Sequence, residues 1–190
     1  MKISIITAVY NRNKTIKRAI LSIKEQMHKN IELIIVDGGS NDGTVDAIKS
    51  LLDENDTFIS ESDDGIYDAL NKGVTLASGE VIAFLHSDDI YFNNKVLSDV
   101  AEGFADKSID VVYGDVSFFH SKDSLKIIRK YKSDNLSRIN LAWGKMPVTV
   151  TVPVVGPSSI FVTEIVSSSE YFLPPASVVV TTTLYEDCVS

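Results

Sequence analysis

The sequence predicts an α/β protein with a doubly wound, mainly parallel sheet, and three observations lead to that prediction. Short apolar runs of strand length alternate with segments of helical periodicity over the first hundred residues. The strand-like runs are apolar without interruption, as in strands that helices cover on both faces. Polar and acidic residues follow directly after four of these runs. A βαβα order of this kind places ligands beyond the carboxyl ends of the strands.

The predicted elements follow one another closely along the chain. The strand-like runs are residues 3–9, 31–36, 57–60, 81–85 and 111–113. Apolar residues recur at helical spacing in residues 16–27, 45–52, 66–77 and 93–103. Asn13 is a candidate N-cap of the first helix. Residues 116–120 and 125–131 flank a short polar stretch and predict a β-hairpin.

The composition changes sharply after residue 146. All five prolines lie beyond it, no Lys or Arg follows Lys145, and Val, Ser, Thr and Pro dominate residues 147–190. No helical periodicity is recognisable there. We expect residues 1–146 to form the main body of a single domain. Residues 147–190 are expected to be an atypical segment of the same domain, either extended or poorly ordered.

Charge and composition limit the possible partners and location. The net charge is −8 and the sequence pI is about 4.8, which argues against nucleic acid, because phosphate backbones bind basic surfaces. A single cysteine cannot form an intrachain disulfide. Neither a signal peptide nor an apolar run long enough to span a membrane is recognisable. We therefore expect a cytoplasmic protein with at most peripheral membrane association.

Acidic residues gather where the predicted strands end. Asp37 follows the second strand, Asp64 lies beyond the third, and Asp88-Asp89 lies beyond the fourth. Any one of these is most simply a loop residue, but together they would repel one another unless a cation joins them. Paired carboxylates on a rigid strand suit Mg²⁺ or Mn²⁺ held together with a diphosphate. The first turn contains no glycine, so dinucleotide-binding and P-loop sites are excluded.

Four motifs in order resemble glycosyltransferase family 2. They are the segments IITAVYN at residues 5–11, IIVDGGSNDGT at 34–44, ESDDGIYDALNKG at 61–73, and ASGE at 77–80 leading to the acidic pair. The third motif resembles a bacterial subgroup that builds cell-surface polysaccharides. The resemblance covers residues 1 to about 146 and implies a Rossmann-like, GT-A-like fold. Residues 1–146 would then be the nucleotide-sugar-binding domain, and residues 147–190 an acceptor-side or poorly ordered segment.

The resemblance also implies roles for individual residues. Those implied to bind the nucleotide are Thr7, Ala8 and Tyr10 at the base pocket, Asp37 on the base, Asp64 at the base or ribose, Lys72 near the sugar nucleotide, and Asp88 on the ribose. Asp89 is implied as the ligand of Mn²⁺ or Mg²⁺. On the residues alone, Lys72 is equally well explained as a solvated helix position. A packed histidine explains His86 better than a metal ligand does.

The second half departs from the family pattern. Members commonly carry a His-Pro-Ser-like segment before a catalytic carboxylate, whereas this chain has Gly156 where the histidine is expected. Asp187, near the end of the chain, is the candidate base. The function implied is inverting, metal-dependent transfer of a hexosyl group from a nucleoside-diphosphate sugar, UDP-sugar by default. The acceptor would be a saccharide or lipid-linked saccharide, in cell-surface polysaccharide synthesis. A non-catalytic nucleotide-sugar-binding module, or a nucleotidyltransferase, are the alternatives.

Overall fold

The computed structural model describes residues 1–107, 109, 112, 114–120, 123–131, 152–153 and 183–186. Its strands are β1 (Ile3–Val9), β2 (Ile31–Asp37), β3 (Thr57–Ser60), β4 (Val81–Phe84), β5 (Ile90–Tyr91), β6 (Val116–His120), β7 (Asp123–Tyr131), β8 (Val152–Pro153) and β9 (Thr183–Glu186). Its helices are α1 (Ile16–Lys24), α2 (Thr44–Lys49), α3 (Ile66–Leu76) and α4 (Val96–Gly103). The four strongest predicted strands and all four predicted helices are present, with helix and strand ends shifted by a few residues.

The main sheet confirms the predicted architecture. Its strand order is β3-β2-β1-β4-β8, and the first four of these strands run parallel. Each of α1, α2 and α3 connects two consecutive parallel strands. The carboxyl ends of β1 to β4 therefore meet at one edge of the sheet, which we call the carboxyl edge.

Strand β1 shows why the apolar runs are uninterrupted. Ile3 and Ile5 pack into one core cluster with the apolar face of α1 and with α4. Ile6 and Ala8 face the other way, into a second cluster with α3. Since successive side chains of a strand alternate between faces, a sheet covered on both faces needs apolar residues at nearly every position.

Helix α3 lies very close to the sheet. A Cβ atom added at Gly73 would lie 2.4 Å from Cγ2 of Ile6. Any side chain at this helix position would therefore push α3 away from β1. Because α3 begins at the carboxyl edge, its close packing also fixes the residues at its amino end.

Three strands were not expected from the sequence. Strand β8 pairs antiparallel with β4 at the margin of the main sheet. Strands β5 and β9 join the predicted hairpin β6–β7 in a second sheet of order β5-β9-β6-β7. The predicted strand 111–113 lies outside the described residues apart from residue 112, and so does most of residues 147–190. The proposed division at residue 146 stays a prediction.

The expected N-cap of the first helix is wrong. Helix α1 begins at Ile16 after Thr15, and no side chain caps its first turn. The side-chain amide of Asn13 instead donates to the main-chain oxygen of Asp42 at 3.0 Å. Asn13 thereby ties the loop after β1 to the loop after β2, which a local capping rule does not anticipate. Among the described residues, no helix is both long and apolar enough to cross a membrane.

At the amino end of the sheet, Glu32 of β2 joins three segments of the chain. Its Oε1 accepts hydrogen bonds from Lys2 Nζ at 2.8 Å and Ser78 Oγ at 2.7 Å. Its Oε2 accepts from Ser4 Oγ at 2.5 Å and from the Ser78 amide at 2.8 Å. Partial burial alone would raise the pKa of Glu32, but these hydrogen bonds outweigh it and lower the pKa to about 2.

We expect Glu32→Gln to lower the free energy of unfolding at pH 7 by about 1–3 kcal/mol, because several donors lose a charged acceptor. The folded-state pKa of Glu32 lies below its ordinary value of 4.5, so the carboxylate stabilises the fold fully above that pH. This contribution is lost as the pH falls towards 2. Urea unfolding of wild type and variant between pH 7 and pH 3 measures the difference, with Glu54→Gln at an exposed position as control. A difference that does not shrink at low pH would contradict the assignment.

Candidate functional site

A cavity of about 760 Å³ opens at the carboxyl edge, within the size range of small-molecule sites. The loops after β1, β2, β3 and β4 and the start of α3 form its walls. The lining residues are Ala8, Val9, Tyr10, Asn11, Arg12, Gly38, Ser62, Asp63, Gly65, Ile66, Ala69, His86, Ser87 and Asp88. A smaller cavity of about 320 Å³ adjoins it and shares Asn11, Arg12 and Asp88. The site therefore lies where the parallel sheet predicted it.

Of the residues singled out from the sequence, Ala8, Tyr10 and Asp88 line the larger cavity. Tyr10 is 59% exposed and Ile66 48%, so the walls combine apolar surface with polar groups. Thr7 is buried, and its hydroxyl has no hydrogen-bond partner among the described residues. Thr7, Asp37, Asp64, Lys72 and Asp89 do not line the cavity.

Asp37 organises the loop after β2. Its Oδ2 accepts hydrogen bonds from the amides of Gly39 and Ser40 at 3.2 and 3.0 Å, and from Ser60 Oγ at 2.7 Å. Its Oδ1 accepts from the Ser40 hydroxyl. The side chain is fully buried. These donors hold the loop and the end of β3 together, and the contact of Asp37 with a nucleobase stays a prediction.

Asp63, rather than its neighbour Asp64, lines the cavity. Its Oδ1 accepts a hydrogen bond from the Gly65 amide at 2.9 Å. A Cβ atom at Gly38 would lie 2.7 Å from Asp63 Oδ2, so the absence of a side chain at Gly38 leaves room for the carboxylate. Asp64 is exposed, and its amide donates to Asp68 Oδ2 at 3.3 Å. The sequence places two carboxylates side by side but does not show which one faces the cavity.

Lys72 lies on α3, outside the cavity wall. Its Nζ contacts Glu61 Oε1 at 2.9 Å and Asp68 Oδ2 at 3.0 Å. The hydrogen bond to Glu61, and to a smaller extent the one to Asp68, holds the pKa of Lys72 well above its usual range. In this arrangement Lys72 ties α3 to the loop after β3, and its contact with a sugar nucleotide stays a prediction.

Asn11 and His86 also line the cavity, and neither was predicted as a site residue from the sequence. Asn11 adopts a left-handed backbone conformation with φ of 52°, which is uncommon outside glycine and clusters at functional sites. Its Oδ1 accepts from the Asn41 amide at 3.0 Å and its own amide donates to Ser40 Oγ at 2.7 Å. His86 lines the cavity rather than only packing behind it, and burial lowers its pKa although the Asp88 charge opposes this. An asparagine two residues after a buried strand was the available signal for Asn11.

The two carboxylates of the acidic pair have different surroundings. Asp88 is half-buried and lines both cavities. Asp89 is 1% exposed, and neither of its carboxylate oxygens accepts a hydrogen bond from a described residue. Burial, together with the Asp88 charge, raises the pKa of Asp89 to about 9, against the opposing effect of Arg18. Asp89 is thus a buried carboxylate without a hydrogen-bonding partner among the described residues.

These surroundings fit a divalent cation. A cation would supply the charge and the coordination that the Asp89 oxygens lack, and Asp88 presents a hard oxygen ligand to the cavity. In the part of the chain that the structure describes, no group of three or more His, Cys, Asp or Glu side chains could hold a metal ion. The two carboxylates would therefore leave most coordination positions to water and substrate oxygens, which is how proteins commonly bind Mg²⁺.

The candidate base Asp187 lies outside the described residues. Strand β9 ends one residue before it, at Glu186, and pairs with β5 and β6. The catalytic role of Asp187 stays a prediction.

Two curated relatives are similar to part of the chain. An uncharacterized glycosyltransferase of Nostoc sp. is 39% identical over 115 residues, which cover 59% of this chain and 35% of that protein. A PGL/p-HBAD biosynthesis glycosyltransferase of Mycobacterium tuberculosis is 37% identical over 117 residues, which cover 60% of this chain and 46% of the relative. The chain therefore spans less than half the length of these two proteins.

Solved structures show the same fold. TarS of S. aureus in complex with UDP-GlcNAc matches with a TM-score of 0.55 and 26% identity, over 63% of this chain and 35% of that one. The mannosyltransferase PcManGT of Pyrobaculum calidifontis, in complex with GDP-Man and Mn²⁺, matches with a TM-score of 0.55 and 24% identity, over 60% of this chain and 35% of that one. The family model for glycosyl transferase family 2 matches residues 4–153 of the 190. With its parallel sheet and its cavity at the carboxyl edge, the chain belongs to glycosyl transferase family 2 and has the GT-A fold of that family.

Proposed function

We propose that this chain transfers a hexosyl group from a nucleoside-diphosphate sugar to an acceptor hydroxyl, with inversion at the anomeric carbon. The donor we propose is a UDP-sugar. The acceptor class that fits the proposal is a saccharide or lipid-linked saccharide of the cell surface. One observation carries the proposal: a cavity at the carboxyl edge is walled by Tyr10, Asp63 and Asp88, and the next residue, Asp89, accepts no hydrogen bond from a described residue. UDP-GlcNAc in the structurally similar TarS supports a nucleotide sugar as the ligand.

The cavity offers each part of such a donor a matching surface. The exposed ring of Tyr10 provides a face on which a nucleobase can stack. The carboxylates of Asp63 and Asp88 can accept hydrogen bonds from base or ribose donor groups. Asp37 contributes by holding the loop of Gly38, which leaves the cavity open beside Asp63.

The reaction needs a cationic group that stabilises the leaving diphosphate and a base that deprotonates the acceptor hydroxyl. A divalent cation bound by Asp88 and Asp89 would stabilise the charge that develops on the departing diphosphate. A carboxylate, with Asp187 as the candidate, would take the proton of the acceptor hydroxyl as its oxygen bonds to the anomeric carbon. The bond between that carbon and the diphosphate oxygen breaks on the opposite face, which inverts the configuration.

A non-catalytic nucleotide-sugar-binding module is the second candidate, because residues 147–190 depart from the family pattern. Release of UDP from a panel of UDP-sugars, with and without saccharide acceptors, separates the two. Acceptor-dependent release in Mn²⁺ supports the transferase. Metal-dependent binding without turnover on a broad acceptor panel would favour the binding module. Nucleotidyl transfer predicts pyrophosphate release from a nucleoside triphosphate instead.

Metal-dependent nucleotide binding should require both carboxylates of the pair. We expect Asp88→Asn and Asp89→Asn each to weaken UDP binding in Mn²⁺ by at least about tenfold. This figure is the lower end of the loss in metal affinity that follows when a group hydrogen-bonded to a metal ligand is removed. Isothermal titration calorimetry with and without Mn²⁺ measures the effect. Asp99→Asn, at an exposed position of α4, removes the same charge as a control. Tight metal-dependent binding by the Asp89 variant would overturn its assignment as a metal ligand.

The neighbouring carboxylates of the loop after β3 provide a matched pair. We expect Asp63→Asn to weaken UDP binding by about tenfold, because a charged acceptor in the cavity wall is lost. Asp64→Asn should change it by less than about twofold, since that side chain lies outside the wall. Both variants are measured by the same titration, after thermal melting has established that they are folded. The reverse ranking would favour the nucleotide contact that the family resemblance implies for Asp64.

A further inference from the structure

Arg18 reaches from α1 to the acidic pair. Its Nη2 donates a hydrogen bond to the main-chain oxygen of Asp88 at 3.2 Å. Its guanidinium carbon lies 4.9 Å from the centre of the Phe119 ring, and Phe119 is fully buried on β6. The side chain therefore joins the first helix, the turn after β4 and the second sheet at one point.

Within the described part of the chain, few other hydrogen bonds hold the turn that Arg18 contacts. The Asp89 amide donates to the His86 oxygen at 3.0 Å, which closes the turn within itself. The Asp88 side chain faces the cavities, and the Asp89 carboxylate accepts no hydrogen bond from a described residue. The Arg18 bond to the Asp88 oxygen connects this turn to a helix that is packed firmly in the core, since Ile16, Ala19 and Ile20 of α1 are fully buried.

The positive charge of Arg18 also acts on the acidic pair. Two adjacent carboxylates repel each other, and a cationic guanidinium nearby stabilises their negative charge before any metal or ligand arrives. The Phe119 ring lies on the guanidinium group and limits its movement, as expected for a cation–π contact.

We propose that Arg18 is the positioning residue of the Asp88–Asp89 turn, fixing its main chain and balancing its charge so that both carboxylates are ready to hold a divalent cation. The part of this proposal that concerns the cation rests on the proposed function. The part that concerns the turn does not. Arg18 touches no substrate group in this role; it acts through the turn, as the hydrogen-bonded neighbours of metal ligands do in other proteins.

The role demands arginine rather than any cation. A planar guanidinium can lie on the Phe119 ring and donate in its own plane to a carbonyl oxygen at the same time, whereas the ammonium group of lysine is a point charge on a flexible stem. Arg18→Lys therefore keeps the charge and loses the defined geometry. Arg18→Met keeps most of the apolar stem and loses both.

The experiment compares these two variants with wild type and with Lys17→Met, which removes a charge from the exposed face of the same helix. Mn²⁺ affinity is measured by electron paramagnetic resonance of the free ion in the presence of UDP, well below the melting temperature of each protein. Hydrogen exchange of the Asp89 amide is measured by NMR in the metal-free protein. Thermal melting monitors overall stability.

We expect Arg18→Met to raise the dissociation constant for Mn²⁺ by roughly 10–100-fold and to accelerate exchange of the Asp89 amide, without faster exchange in β1 and β2. Arg18→Lys should recover part of the affinity, and Lys17→Met should match wild type. Affinity and exchange unchanged in Arg18→Met, with only a lower melting temperature, would show a purely structural residue. Tighter Mn²⁺ binding would also overturn the proposal, because repulsion of the ion would then dominate.

Failure of the proposed function gives a different pattern. If wild type binds neither Mn²⁺ nor UDP, the nucleotide-sugar site is wrong, whatever the variants do. Exchange of the Asp89 amide in the metal-free protein still decides whether Arg18 holds the turn. An unchanged exchange rate in Arg18→Met rejects that part of the proposal as well.

Discussion

The parallel pairing of β1 with β2 and β4 is the constraint on which the rest of the molecule depends. In the pairing of β1 with β2, Val9 lies opposite Asp37. In the pairing of β2 with β3, Asp37 lies opposite Ser60. This alignment brings the Ser60 hydroxyl within hydrogen-bond reach of the Asp37 carboxylate and sets the loops of three strands side by side. Had β2 paired one residue out of step, its inward and outward side chains would exchange faces. The alignment of Asp37 with Val9 would then be lost.

Buried carboxylates at the two ends of this sheet have opposite environments. At the amino end, Glu32 is saturated with donors and its pKa falls to about 2. At the carboxyl end, Asp89 is buried, no described residue donates a hydrogen bond to it, and its pKa rises to about 9. The first arrangement stabilises the folded chain, and the second opposes it; the cation proposed to bind here would offset that cost. A fold keeps an unfavourable carboxylate of this kind where binding can later compensate it.

Much of this could be predicted from the sequence, and the exceptions have physical causes. Uninterrupted apolar runs identified β1, β2 and β4 because both faces of these strands are buried. Strands β5, β8 and β9 are two to four residues long and pair only with strands distant in sequence or with one another, so no local periodicity could reveal them. Which of Asp63 and Asp64 faces the cavity depends on the space left at Gly38. The contact of Arg18 with the acidic pair spans 70 positions of sequence.

The exposed ring of Tyr10 and the exposed side chain of Ile66 have a thermodynamic consequence. These side chains add apolar surface to the walls of a cavity that Asp63 and Asp88 also line. A ligand that fills the cavity buries this surface, and burial of apolar surface lowers the heat capacity of the complex. The enthalpy of binding should therefore become more negative with rising temperature. Attraction between fixed charges alone would not give this slope.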